Sequence, residues 1–135
     1  SAAAEMHGGF SALRSDCCMN VGVRVSPRPP RPALQRDVAR IAELFEEGLS
    51  RFGGPFLAGP TFTAADAFYA PVVFRIRTYG LAMGPLGSAW VERMLALPAM
   101  RAWEEAALAE TYREQGHEDE LAAAGIVTAD FRATA

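Results

Sequence analysis

The chain has 135 residues, half of them apolar and 21% charged, with a formal net charge of −3. That suffices for one domain with a real core, and an acidic balance gives no electrostatic reason to expect nucleic acid. No apolar run reaches the about 18 residues of a membrane span, the opening SAAAEMHGGF does not read as a secretory signal, and the adjacent Cys17 and Cys18 are too strained a pair for a disulfide framework, so no membrane association and a cytoplasmic location are expected.

Residues 1 to 15 read as a helix that begins abruptly, with no cap before Ala2 and with Met6, Phe10 and Leu13 on one face. Gly8 and Gly9 fall in its middle. They mark either a poor helix tolerated by packing or a smooth surface for close approach. Residues 16 to 32, DCCMNVGVRVSPRPPRP, read as a surface connection, because Pro27, Pro29, Pro30 and Pro32 forbid a helix interior. From 33 to 52 the amphipathic pattern is clean. Leu34, Val38, Ile41, Phe45, Leu49 and Phe52 form the apolar stripe, Arg36, Asp37, Arg40 and Glu43 lie opposite, and Pro32 and Gly53-Gly54-Pro55 bracket the helix.

The stretch TFTAADAFYAPVVFRIRTY, about 63 to 79, is expected to be the central buried helix. Thr63 and Asp66 stand three apart as a structural capping box, with the Thr63 hydroxyl accepting from the N3 amide and Asp66 reaching back to the Thr63 amide. The residues that follow are apolar on nearly every side, which marks burial. Pro71 predicts a kink and Gly80 a stop. Ser88 then caps a short helix with Trp90, Met94 and Leu97, and Pro98 opens a last helix with Met100, Trp103 and Ala107 inward. Beyond Tyr112 the tail, residues 113 to 135, is expected to dock loosely or remain mobile.

The fold class is therefore all-α, a bundle of five to six helices around residues 63 to 79, with no convincing strand pattern. Candidate chemistry is sparse. His7 and His117 lack partners at metal-ligand spacing, so no metal is expected. No nucleotide or nucleophile motif is present, and Asp66 reads as structural rather than catalytic.

Phe56-Leu57-Ala58-Gly59 followed by Thr63-Ala64-Ala65-Asp66-Ala67 resembles the "F-L-x-G, then S/T-x-A-D" signature of the glutathione S-transferase C-terminal domain. Ala4 to Phe10 with Ala12-Leu13-Arg14 and Met19-Asn20 is similar to the first helix and its exit in bacterial members. Arg75 to Tyr79, Trp90 and Leu97-Pro98 with Trp103 fit as well. The resemblance covers about residues 3 to 110. It implies a helical domain over 1–112, truncated at its start, and an N-terminal thioredoxin-like domain missing from the chain. It also implies that Met6, Phe10, Leu13, Arg14, Met19 and Asn20 line the pocket for a small apolar electrophile, with glutathione as co-substrate bound mostly by the missing domain. No catalytic residue and a homodimer through the first two helices are implied too, so the isolated chain is expected to be inactive. The alternative is a non-catalytic helical protein-interaction module of the same fold.

Overall fold

The computed structural model describes residues 1–134. Among these residues, seven helices and two strands run in the order α1 (Ala2–Gly8), α2 (Ser11–Asp16), β1 (Val23–Pro27), α3 (Pro32–Arg51), α4 (Ala64–Tyr79), α5 (Gly84–Ala96), α6 (Pro98–Ala109), α7 (Gln115–Ala124) and β2 (Gly125–Asp130). The chain is mostly helical, as its patterning predicts, and α4 is the rod on which α1, β1 and α5 pack.

α4 buries Tyr69, Val72, Val73, Phe74, Ile76 and Tyr79. Opposite them lie Ile41, Phe45 and Leu49 of α3 and Trp90 and Met94 of α5. Phe45 joins the three helices: its ring meets Tyr69 edge-on at 5.2 Å and Trp90 at 4.5 Å. Gly87 lets α5 come this close, because a β-carbon there would touch Met83 and Phe45. One flank of α4 is open, since Phe68 is 45% exposed. Pro71 lies inside the helix without ending it, and Gly80 closes it with φ of 63°.

The capping box of α4 is present, but its halves are unequal. The Thr63 N–H donates to Asp66 Oδ2 at 2.9 Å, while the Thr63 hydroxyl stands 3.4 Å from the same oxygen. The Asp66 amide uses the Thr63 carbonyl at 3.1 Å rather than depending on the hydroxyl. The acid therefore carries the cap. Its other oxygen accepts from the Leu57 N–H at 3.0 Å and from Trp90 Nε1–H at 2.9 Å. Asp66 is fully buried, so these donors have no alternative in water.

Several expectations are corrected. The single helix over residues 1 to 15 is two helices. Gly9 stops α1 and Phe10 turns the chain with φ of 60°, the only non-glycine at positive φ among the described residues. Ser1 does cap α1, its hydroxyl accepting from the Ala4 N–H at 3.3 Å. α5 begins at Gly84 rather than Ser88, with Pro85 in its first turn. Phe52 leaves the α3 stripe and is half exposed.

The connection from 16 to 32 contains a strand, and the tail supplies its partner. β1 and β2 pair antiparallel from Val23↔Asp130 to Pro27↔Gly125, with a bulge at Arg24/Val25. Val23 and Val25 point into the core, and Leu121 and Ala124 of α7 are buried with them. The tail is docked, because β1 would otherwise leave its backbone groups unpaired.

Candidate functional site

The six residues expected to line a pocket divide into three groups. Met6, Phe10 and Leu13 are buried core residues. Arg14 is exposed on α2, and its Nη2 reaches back across the bend to the carbonyls of Met6 at 2.7 Å and His7 at 3.4 Å. Met19 and Asn20 are partly exposed just past α2 and border a cavity. Among the described residues, nothing beyond its neighbours and its own helix backbone lies within 4 Å of a β-carbon placed at Gly8, whereas one at Gly9 would fall 2.7 Å from the Glu5 carbonyl. The glycine pair therefore ends a helix here.

The segment from Cys17 to Val21 lies outside helix and sheet, so its carbonyls need other donors. The C-terminal half of α4 provides them. Arg75 Nε donates to the Cys17 carbonyl at 2.9 Å, the Tyr79 hydroxyl to Cys18 at 2.6 Å, and the Thr78 hydroxyl to Asn20 at 2.6 Å. Arg77 Nη2 reaches the Val21 carbonyl at 3.4 Å, and its Nη1 pairs with Glu104 at 3.0 Å. Because the Tyr79 O–H is spent on a carbonyl, the Cys18 thiol 3.2 Å away donates to the phenol oxygen. Burial, then the Cys18 contact, raises the Tyr79 pKa above its ordinary value. Burial, reinforced by Asp16, pushes the Cys17 thiol up to about 11. Both groups are neutral near pH 7, so neither is an activated nucleophile.

Met19 and Asn20 form one side of a cavity of about 600 Å³. Val21, Trp103, Glu110 and Tyr112 continue it, and the tail closes it with Arg113, Glu114, His117, Glu118 and Arg132. The Trp103 ring packs edge-on to Phe74 at 4.8 Å and is 39% exposed. Arg132 binds Glu118 and Asp130, which holds α7 against β2. His117 is exposed between Glu114 and Glu120, at 3.7 and 3.5 Å. The Asn20 side chain turns to its own backbone, accepting from the Gly22 N–H at 3.2 Å. Sequence reasoning missed the tail's share of this wall. The available signal was the alternation Val21, Val23, Val25 matched by GIVTAD far downstream.

A second, more apolar cavity of about 510 Å³ lies elsewhere, floored by Phe45, Leu57 and Tyr69 and rimmed by Glu5 and Arg40. It contains none of the six expected residues. Among the described residues, no three His, Cys, Asp or Glu side chains gather as a metal site, and no helix is long and apolar enough to cross a membrane.

Comparison with known proteins gives one family match. The model described as "Glutathione S-transferase, C-terminal domain" covers residues 28–106, more than half of the chain. No curated protein and no solved structure matches significantly.

Proposed function

The chain belongs to the glutathione S-transferase C-terminal domain family, and from that premise we propose that it is the substrate-side, dimerising half of a glutathione S-transferase. In this reading a thioredoxin-like domain outside the chain binds most of the glutathione and activates its thiol. The thiolate sulfur attacks an electrophilic carbon, a carbon–sulfur bond forms, and the leaving group departs with its electron pair. The observation that carries the reading is the strap of α4 donors holding Cys17 to Val21. It fixes Met19 and Asn20 at the mouth of a cavity whose far wall is Trp103. Met19 and Trp103 suit the apolar body of an electrophile. Cys17 is buried and the Tyr79 hydroxyl is committed to a carbonyl, so in this reading neither activates the glutathione thiol. A homodimer through α1, α2 and α3 completes the reading.

The test is conjugation of glutathione to a chlorinated nitrobenzene. The chain alone should show only the uncatalysed rate. A fusion behind the thioredoxin-like half of an active glutathione transferase should displace chloride above that half alone. Catalysis by the isolated chain, or an inert but folded fusion, overturns the assignment. The second reading, a non-catalytic interaction module, draws on the exposed Tyr112 and the exposed Ile126 and Phe131 of the tail, and an inert fusion favours it.

A further inference from the structure

We propose that residues 26 to 32 are a preformed polyproline II ligand for a partner protein whose groove is lined by aromatic rings and carries a carboxylate at one end. The inference goes beyond the transferase reading and does not depend on it.

The segment reads Ser26-Pro27-Arg28-Pro29-Pro30-Arg31-Pro32, and every residue in it is a proline or precedes one. The proline ring fixes φ near about −65°, and the residue before a proline is pushed out of the helical region, so the backbone is confined to extended conformations. No turn or bend interrupts residues 28 to 31, and the X–Pro bonds here are trans. Arg31 has φ of −66° and ψ of 154°, which are polyproline II values. All seven residues are exposed.

The segment is nevertheless held in place. β1 and α3 fix its two ends. The Arg28 N–H donates to the Ala124 carbonyl at 3.0 Å, and Arg31 Nε and Nη2 donate to the two oxygens of Asp16 at 2.8 and 2.9 Å. A ligand already ordered in this way loses little conformational entropy on binding.

A polyproline II helix has three residues per turn, so residues three apart share an edge. Pro27 and Pro30 share one edge, Pro29 and Pro32 a second, and Arg28 and Arg31 the third. The four prolines have no N–H, so the segment presents rings and carbonyl acceptors. Flat aromatic faces that also carry O–H or N–H donors complement that surface, as in the grooves of SH3-type and WW-type modules. The third edge sets the charge. Asp16 is taken by Arg31, while Arg28 is exposed and forms no ion pair among the described residues, so the complementary groove is acidic. An apolar hollow of about 270 Å³, bordered by Pro30, Leu34, Val38 and Leu81, extends the contact surface onto α3.

The test is a titration of the isotope-labelled 135-residue chain, followed by nuclear magnetic resonance. The probes are a panel of purified SH3-type and WW-type modules, and vesicles of anionic phospholipid. A module from the panel should bind and shift the amide signals of Ser26, Arg28, Arg31 and Ala33. Replacing Pro29 and Pro30 together by Ala should weaken that binding about ten-fold or more, through lost rings and lost preorganisation. Arg28→Glu, at an exposed position, should weaken it about five-fold. Binding by no module, or shifts confined to other surfaces, overturns the proposal, and neither result depends on a variant folding. A folded double variant that binds as tightly as the unmodified chain also overturns it. Vesicle binding that Arg28→Glu removes and the double proline variant keeps, with no module bound, shows a charge-only membrane contact instead.

Discussion

Replacing Asp66 by Ala separates two accounts of the same residue. As a cap alone, the carboxylate contributes about 1–2 kcal/mol. The structure gives it more to do. It accepts from the Thr63 and Leu57 N–H groups and from Trp90 Nε1–H, at 2.9, 3.0 and 2.9 Å. An unpaired buried donor costs about 1–3 kcal/mol, and three are created at once. Removing a buried carboxylate returns part of that through its own desolvation, so the net loss should be about 3–5 kcal/mol. For a domain of this size that lowers Tm by roughly 10–20 °C. Thr63→Ala, whose hydroxyl contact is only 3.4 Å, should lose about 1 kcal/mol or less. Urea unfolding followed by tryptophan fluorescence and circular dichroism measures both. A cycle with Trp90→Phe should return a coupling of about 1–2 kcal/mol with Asp66. A loss below about 1 kcal/mol for Asp66→Ala, or no coupling, would refute the three-way junction.

Deleting residues 113 to 134 should cost about 3–6 kcal/mol, because Leu121 is lost from the core and Val25 is uncovered, each burial being about 1.5–3 kcal/mol. An unchanged urea midpoint for the shortened chain would show the ribbon is ornamental. Stability should also fall at alkaline pH. The Cys17 thiol is held at about 11 against 9.0, and the Tyr69 hydroxyl, buried and donating to the Ala2 carbonyl, at about 12 against 10.0. The unfolded chain then loses these protons first, so the stabilisation is complete below pH 9 and fades between about pH 9 and 12. A flat Tm from pH 9 to 11 would contradict the burial of Cys17.

The sequence alone determined the helical class, the central position of α4 and the residues of its start. Those features are local: a hydroxyl and an acid three apart, an apolar run, a glycine stop and the 3.6-residue stripe of α3 all act within one or two turns. Single local misreadings followed from the same limit. Gly8-Gly9 reads as a flaw in one helix until Phe10 is seen turning the chain between two. Only tertiary structure decided that Asp66 ties three segments together, that Arg75 to Tyr79 strap the exit of α2, and that the tail pairs with β1. These contacts join Leu57 to Trp90, Cys17 to Arg75 and Val23 to Asp130, across separations that no local period encodes. Buried donors, carbonyls and strand edges find their partners only once the chain has closed on itself.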